Sequence, residues 1–458
     1  MFEDIPVDVG LVHEGERIRK NDMQYELGGP KVAEKFELVR LKPAEEIEAG
    51  AIHIIGPDIP DLEEGKSHPF GILIEIAGPE LEENLEGVIE RRIHEYCNYI
   101  EGFMHLNQRY DIWIRLSKKA YKKGLNSFRF IGMAMQELFR NELPIIREIQ
   151  ITFITDPEEI KPLYTEALAI YEARDARARG LSDEDVDLFY GCALCQSFAP
   201  THVCVVTPQR YANCGAISWF DGRAAARIDP KGPIFPIEKG ECLDPKTGEY
   251  TGVNESAQKR SMGEVERIQL YSGFGYPHTS CGCFEAIAFY IPEVEGYGIV
   301  HRGFRDLAVN GLPFSTMADS TAGGRQIEGF HGISIEYMRS RKFLQADGGY
   351  EAVVWIPEEI KERLKEYIPE PLYEQIATEK DATTVGDLKA FLMQHQHPVV
   401  ERWVEIEEEE EGGAVITAGE LPITTGGFRI LLKNARIYAD RVIIQPVQPK
   451  KPGRGEKQ

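Results

Sequence analysis

Four cysteines in the middle of the chain constrain its fold more than any other feature of the sequence. Cys192, Cys195, Cys204 and Cys214 follow the spacing C-x2-C-x8-C-x9-C. In a reducing cytosol such a group indicates a metal site before disulfides. A zinc ion and a 4Fe–4S cluster both take four cysteine ligands. Zinc sites commonly use two C-x2-C pairs, and only one is present here. The spacing therefore favours the iron–sulfur cluster and leaves zinc, or no metal, open.

A second group, Cys281-Gly282-Cys283, can form a planar chelate. Its two thiolates flank the backbone nitrogens of Gly282 and Cys283, and loss of both amide protons to a metal would give an N2S2 set. Ni(II) and Cu(II) prefer that square-planar arrangement, whereas zinc prefers a tetrahedron. Glycine between the thiolates would keep the faces of the metal uncrowded. Such a triplet also occurs by chance in loops, but its significance rises beside a four-cysteine motif.

The thiolates of this triplet keep lone pairs after they bind one metal, so both can bridge to a second. A third thiolate from the first group would complete a soft, three-sulfur site with an open position. Such a site suits CO and alkyl ligands, whose chemistry no protein side chain supplies. The remaining cysteines, Cys97 and Cys242, stand apart and are predicted to be inert thiols.

Composition limits the partners that this chain can have. The net charge of -23 disfavours binding to nucleic acid and to anionic membranes. The N-terminal residues, MFEDIPVDVG, lack the features of a signal peptide, and no apolar run is long enough to cross a bilayer. We therefore expect a cytoplasmic protein with no nucleic-acid or membrane partner.

The pattern of apolar residues predicts two main domains. Strands are expected over residues 70–78, 111–117 and 148–155, each followed by a helix, and the first of these helices is expected to start at Pro79. This predicts an α/β layer domain over residues 1–185. Residues 186–404 show short strands, among them residues 268–275, and many loops, which predicts an α+β domain that carries the cysteines. Residues 405–458 are expected to form an acidic linker, strands and a disordered tail.

The seven-residue constellation resembles the metal centre of the acetyl-CoA synthase family, the CO-methylating partner of CO dehydrogenase. The quartet, followed after 66 residues by Cys281-Gly282-Cys283, carries this resemblance. Phrases such as SFAPTHVCVVTPQRYANCGAISW and FLQADGGYEAVVWIP extend it over about residues 15–400. The chain is most similar to the beta subunits of the archaeal acetyl-CoA decarbonylase/synthase complex, because it begins about where the second domain of the longer bacterial enzymes would.

The resemblance implies a role for each site residue. The quartet would hold a 4Fe–4S cluster, and Cys195 would also bridge to a proximal nickel. Cys281 and Cys283 would bridge that nickel to a distal nickel, which the nitrogens of Gly282 and Cys283 would help to hold. Phe198 matches a phenylalanine that lies over the proximal nickel, although ordinary core packing would also explain it. CO would come from CO dehydrogenase subunits and the methyl group from a corrinoid iron–sulfur protein.

A basic stretch of the chain is the candidate binding site for the phosphates of CoA. Residues 112–136 contain no acidic residue and several basic ones, with a tryptophan beside them. Arginine and lysine bind phosphates, and an adenine ring can stack on an indole. Trp113 and Arg115 are the first candidates, and the resemblance supports a CoA site in this domain. A solvated helix start with long lysines would give the same pattern.

A second function class is a non-catalytic iron–sulfur electron carrier or a zinc-stabilised scaffold subunit of a larger complex. Either needs only the quartet and leaves the Cys281-Gly282-Cys283 triplet unexplained. Metal content separates these alternatives from an acetyl-CoA synthase, whereas the physiological direction of the reaction does not follow from the sequence.

Overall fold

Short strands and helices alternate along residues 2–403, which are the residues that the computed structural model describes. The strands are β1 Met23–Gly28, β2 Lys35–Leu41, β3 Ile52–Ile55, β4 Ser67–His68, β5 Phe70–Ala77, β6 Phe103–Leu106, β7 Trp113–Ser117, β8 Glu148–Ile154, β9 Leu188–Cys192, β10 Cys204–Val206, β11 Ile234–Glu238, β12 Cys242–Asp244, β13 Glu249–Tyr250, β14 Ala286–Ile291, β15 Gly296–His301, β16 Phe330–Ile333 and β17 Val353–Trp355. The helices are α1 Glu86–Asn98, α2 Lys118–Lys123, α3 Phe128–Glu142, α4 Ile160–Ala176, α5 Trp219–Ile228, α6 Thr251–Arg260, α7 Phe314–Thr321, α8 Ile335–Met338, α9 Glu358–Arg363, α10 Glu370–Tyr373 and α11 Val385–Gln394. This mixture confirms the predicted α/β and α+β fold class.

Two four-stranded sheets form the N-terminal part. One has the order β2-β5-β8-β3 and the other β4-β1-β7-β6. Strand β5 is an almost continuous apolar run, and it is buried because it pairs with β2 on one side and β8 on the other. Helix α1 packs on β2 and β6, which places its inner face between the two sheets.

The C-terminal part is built on two further main sheets. Strands β10-β9-β11 form a three-stranded antiparallel sheet, and β16-β14-β15-β17 form a four-stranded mixed sheet. The segment between β13 and β14 contains the Cys281-Gly282-Cys283 triplet, and the three-stranded sheet carries Cys192 and Cys204 of the quartet. The two cysteine groups therefore start from different sheets. Within residues 2–403, no helix combines the length and apolar composition that a membrane span needs.

The predicted domain boundary near residue 185 lies inside one compact unit, Met1–Glu407. Nevertheless, the residues before and after this point pack mostly in different apolar clusters. One large cluster draws almost entirely on residues before 155, and another begins at Val186. The boundary stays a prediction, and the predicted linker and tail over residues 405–458 lie outside the described residues.

Two predicted elements are wrong in detail. The helix expected from Pro79 begins at Glu86, because the chain first turns at Gly78, where the amide of Leu81 donates to the Gly78 carbonyl. Residues 268–275 form no extended strand and contribute only an isolated bridge between Gln269 and Pro277. Here the Leu270 carbonyl accepts hydrogen bonds from side chains, those of Arg210 and Tyr337, in place of a neighbouring strand.

Candidate metal centre

The quartet cysteines are buried around the sheet β10-β9-β11. Cys192 ends β9, and antiparallel pairing sets Cys204 of β10 directly opposite it. Cys214 lies in the loop after β10 and packs into the same apolar cluster. Burial raises the pKa of the Cys204 thiol to about 11 and also raises the pKa values of Cys192 and Cys214. Thiolates at these positions therefore need a cation to stabilise them.

Cys195, the fourth member, turns toward the other cysteine group. It sits on a short 3₁₀ turn, Leu194–Ser197, and contacts Cys281. The sulfur atoms of Cys195, Cys281 and Cys283 all lie within 4.8 Å of one another. Two metal–sulfur bonds of about 2.3 Å span about 4.6 Å, so sulfurs at this spacing can share one ion. The structure thus joins the two groups through Cys195.

The Cys281-Gly282-Cys283 loop is shaped by its glycine. Gly282 has a φ of 117°, which other residues rarely adopt, while a Cβ built there would meet only ordinary contacts. The need for glycine is therefore conformational as well as the steric one predicted from the sequence. In this conformation the Cys283 amide donates to the Cys281 sulfur over 3.3 Å. A backbone nitrogen and a thiol of the triplet thus face each other.

Cys283 is the sulfur of this set that the surroundings favour as a thiolate. Hydrogen bonds from Cys195 and Cys281, together with the nearby Arg91 guanidinium, hold the pKa of Cys283 well below its ordinary value despite burial. Hydrogen bonds to Cys281 and Cys283, together with burial, raise the pKa of Cys195 well above its ordinary value.

Two residues that the sequence analysis missed approach these sulfurs from helix α1. The Arg91 Nη2 atom lies 3.4 Å from the Cys195 sulfur and 3.7 Å from the Cys283 sulfur. The His94 Nε2 atom lies 3.9 Å from the Cys283 sulfur. Positions i and i+3 share one helix face, so α1 presents both to the same site. The sequence offered one indication of this role. Arg91 is a charged residue that lies between Ile89 and Ile93 on the buried face of a helix.

A buried hydrogen-bond chain fixes the His94 ring. Its Nδ1 atom is 2.9 Å from Nδ1 of His105, and Nε2 of His105 is 2.6 Å from the Glu37 carboxylate. Burial, and then the Arg91 charge, lower the pKa of His94 to about 4, which keeps the ring neutral near pH 7. The Nε2 atom of His94 faces the Cys283 sulfur at the other end of this chain, and a hydrogen bond donated by that ring to the sulfur is one of the causes that lower the pKa of Cys283.

A cavity of about 940 Å³ opens onto the Cys281-Gly282-Cys283 triplet. This volume is in the range that holds a sizeable organic ligand. Phe198, which is 38% exposed, lines the cavity together with Cys281 and Cys283. Its basic lining residues are Arg17, Lys35, Arg91, Arg109, Arg302, Arg305 and Arg363. Most of these arginines lie far apart in the sequence, and composition over a window does not reveal them.

The two residues predicted to contact CoA lie in different settings. Trp113 lines the cavity, and its indole N–H donates to Glu26 over 2.9 Å. Arg115 is not among the lining residues, since it donates to Glu26 and to the Ile18 carbonyl. The guanidinium carbons of Arg115 and Arg305 lie 4.5 Å and 5.3 Å from the Trp113 ring centroid. Stacking of another ring on Trp113 therefore competes with these two cations.

A buried set of cysteine sulfurs at the end of a cavity of this size is typical of a metal-dependent enzyme for a small-molecule substrate. The family model of the CO dehydrogenase/acetyl-CoA synthase complex beta subunit matches residues 5–160, and a second model, of the C-terminal part of the ACS/CODH beta subunit, matches residues 171–403. The chain belongs to the beta-subunit family of the CO dehydrogenase/acetyl-CoA synthase complex, which confirms the resemblance stated from the cysteine pattern.

Individual relatives agree with this assignment over almost the whole chain. The acetyl-CoA decarbonylase/synthase complex subunit beta of Methanothermobacter thermautotrophicus is 55% identical over 97% of this chain and 100% of its own length. The subunit of the same name from Methanopyrus kandleri is 54% identical over 96% of this chain and 97% of its own length. A solved C-terminal domain of an acetyl-coenzyme A synthase alpha subunit is 37% identical over 26% of this chain and 95% of that domain, with a TM-score of 0.24, from which nothing about the fold follows.

Proposed function

We propose that this chain is the catalytic acetyl-CoA synthase/decarbonylase of its complex, an acyltransferase. It would join CO, a methyl group and CoA into acetyl-CoA and also run the reaction in reverse. The observation that carries this proposal is the approach of the Cys195, Cys281 and Cys283 sulfurs to within 4.8 Å of one another at the end of a large cavity. An electron carrier or a zinc scaffold has no use for such a cavity.

The donor atoms fit a 4Fe–4S cluster and two nickel ions. Cys192, Cys195, Cys204 and Cys214 would hold the cluster. A single zinc ion would bring four sulfurs within about 4.6 Å of one another. Among residues 2–403, the sulfur atoms of Cys195, Cys281 and Cys283 all lie within 4.8 Å of one another, whereas the four sulfur atoms of the quartet do not. This supports a cluster with separated corners over one zinc ion.

The three-sulfur set would hold the proximal nickel. The distal nickel would be held by the sulfurs of Cys281 and Cys283 with the amide nitrogens of Gly282 and Cys283. The orientation of the Cys283 amide toward the Cys281 sulfur supports this chelate. When bound, this metal group supplies an electron-rich centre able to form metal–carbon bonds.

The side chains of the protein prepare the site for that chemistry. Cys195 and Cys281 are 7% and 3% exposed and Cys283 is partly buried, so two of the three cysteines are largely shielded from bulk water. Arg91 compensates the negative charge of the thiolates from one side, and Phe198 offers an apolar wall to a methyl group or CO. The Glu37–His105–His94 chain holds a neutral ring beside Cys283. These contacts orient the sulfurs, and Phe198 provides an apolar surface in a cavity that also carries basic residues.

We assign the binding of CoA to the outer part of the cavity. Trp113 would contact the nucleotide, Arg115 would hold the indole in place, and Arg305 would bind phosphate. Arg305 takes this role because it is exposed and lines the cavity beside Trp113. The lysines of the predicted basic stretch are less suited, since Lys119 and Lys123 lie 3.0 Å and 2.6 Å from the Glu101 carboxylate.

Replacing Arg305 by glutamine is expected to raise KM for CoA by about 10- to 100-fold, the equivalent of one hydrogen bond to a charged group. The maximal rate at saturating CoA should change much less. Steady-state kinetics at varied CoA concentration would measure both values. Lys119→Gln is the matched control, since Lys119 belongs to the basic stretch but is bonded to Glu101. An equal rise of KM in both variants would contradict the assignment to Arg305.

The partners follow from the proposed reaction. As a member of this family the chain is expected to work within a complex, with CO dehydrogenase subunits as the source of CO. A corrinoid iron–sulfur protein would deliver the methyl group. A cytoplasmic location, without nucleic-acid or membrane partners, stays part of the proposal.

Metal analysis of anaerobically prepared protein tests the proposed function. We expect about two nickel and about four iron per chain, together with exchange of labelled CO into the carbonyl group of acetyl-CoA. About one zinc per chain, with no nickel and no exchange, would instead support the scaffold. Iron without nickel or exchange would support an electron carrier.

A further inference from the structure

The Arg302 side chain forms hydrogen bonds with the loop that carries the Cys281-Gly282-Cys283 triplet. This residue directly follows β15, and its Nη2 atom donates to the Gly282 carbonyl over 2.6 Å and to the Phe284 carbonyl over 3.0 Å. Its Nε atom donates to the Phe284 carbonyl over 3.1 Å. The guanidinium thus spans the two carbonyl groups on either side of Cys283.

A residue from the N-terminal part of the chain, Asn107, orients the guanidinium through a hydrogen bond. The Nη1 atom of Arg302 donates to the Asn107 side-chain oxygen over 2.6 Å, and the Asn107 amide donates in turn to Asp111. All four hydrogen bonds of the Arg302 guanidinium therefore end on neutral oxygens. Its positive charge stays available to a negative charge that arises on the loop.

One of these carbonyl groups belongs to the peptide that the proposed chelate changes. The Gly282 carbonyl and the Cys283 nitrogen are the two ends of one peptide unit. Coordination through that nitrogen requires loss of the amide proton to solvent, and the electron pair left behind is shared between nitrogen and oxygen by peptide resonance. Negative charge then develops on the oxygen that Arg302 already contacts.

We infer that Arg302 is a positioning residue that makes the Cys283 amide a nickel ligand, by stabilising the charged peptide at the Gly282 oxygen. The guanidinium is charged already, so loss of the amide proton turns its contact with a neutral carbonyl into one with a negatively charged oxygen, and the electrostatic attraction between the two groups increases. The sulfurs have a separate partner in Arg91, so each negatively charged part of the chelate has its own guanidinium. This inference rests on the proposed planar nickel site.

Comparing nickel binding with zinc binding distinguishes this role of Arg302 from a purely structural one. A planar nickel ion needs the amide nitrogen, whereas tetrahedral zinc is satisfied by thiolates and leaves the amide protonated. Arg302→Gln, which keeps a donor but removes the charge, is expected to lower nickel affinity by about 10- to 100-fold and zinc affinity by less than about threefold. Arg302→Lys, which keeps the charge, should recover part of the nickel affinity.

The experiment uses the full chain, freed of metal and titrated anaerobically with nickel or zinc against a competing chelator. The absorption bands of planar nickel provide a second readout that does not depend on activity. Arg325→Gln is the matched control, because Arg325 is an exposed arginine that donates to the Ser320 carbonyl and does not line the cavity, and it should bind nickel as the wild type does. Equal losses of nickel and zinc affinity in Arg302→Gln, or unchanged nickel affinity, would overturn the inference alone. Absence of planar nickel in the wild type would overturn the proposed metal site, and this inference with it.

Discussion

Replacement of Cys283 by alanine is expected to abolish acetyl transfer and the retention of nickel. Cys283 is the sulfur with the lowest pKa of the three, and its backbone nitrogen belongs to the same proposed chelate. Loss of an outer partner of a metal ligand typically costs 10- to 100-fold in affinity or activity, so loss of the ligand itself should exceed about 100-fold. Nickel content and the exchange of CO into acetyl-CoA, measured on the same preparation, would check both effects.

A cysteine outside the site supplies the control for this experiment. Cys242 is exposed on β12 and lies away from both cysteine groups in the sequence. Cys242→Ser should keep the nickel content and the exchange rate of the wild type. Full acetyl transfer by Cys283→Ala would show that the three-sulfur site is not where the reaction takes place. Cys281→Ala should fail in the same way as Cys283→Ala, because both sulfurs would bridge the two nickel ions.

The two cysteine groups could be recognised in the sequence because each is a pattern of local spacing. Cys192 and Cys195 lie on one strand and the turn that follows it, and Cys281 and Cys283 lie on one loop. The contact between the groups is a long-range event that spacing alone does not require. The lone pairs of the triplet thiolates suggested a third sulfur from the first group, and the resemblance to a known family implied that this sulfur is Cys195.

The residues around the sulfurs could not be predicted in this way. Arg91 precedes Cys195 by 104 residues and Cys283 by 192 residues, and His94 precedes Cys283 by 189 residues. Arg302 reaches the site from the end of β15. Each looks like an ordinary charged or polar residue in its own segment. What marks them is the packing of α1 and β15 beside the triplet, and that packing depends on sheets whose strands are distant in sequence.

The basic stretch near Trp113 shows the opposite error. The local pattern suggested that several basic side chains are free to bind phosphate, but in the structure most of those considered are paired with acidic residues. Trp113 does line the cavity, but Lys119 and Lys123 pair with Glu101, and Arg115 is engaged with Glu26. Arg305, which lies beside the indole, comes from the other part of the chain. A window free of acidic residues does not reveal acidic partners that lie outside the window.

Replacement of Arg91 by methionine is expected to weaken nickel binding by about 100-fold. This is the largest loss of metal affinity that is typical when a residue in contact with a metal ligand is removed. Arg91 is 1% exposed and its Nη1 atom has no hydrogen-bond partner among the described residues, so its positive charge is compensated chiefly by the sulfurs. Removing that charge raises the pKa of Cys283, because the neutral thiol is then favoured. Nickel must therefore displace a more tightly held proton.

The same variant should have the opposite effect on the metal-free fold. Among residues 2–403, the Arg91 guanidinium forms no ion pair with a carboxylate, and Glu95, whose charge also favours the guanidinium, pairs with Arg92. Such a guanidinium is costly to desolvate, and an apolar side chain of similar length avoids this cost. The free energy of unfolding of metal-free Arg91→Met should thus equal or exceed that of the wild type. Urea unfolding and nickel competition with a chelator, on the same protein, would measure the two effects. Arg92→Met is the matched control, since Arg92 pairs with Glu95 over 2.7 Å and should not change nickel binding. If Arg91→Met lost stability and nickel binding together, Arg91 would be a residue of the fold and not a partner of the thiolates.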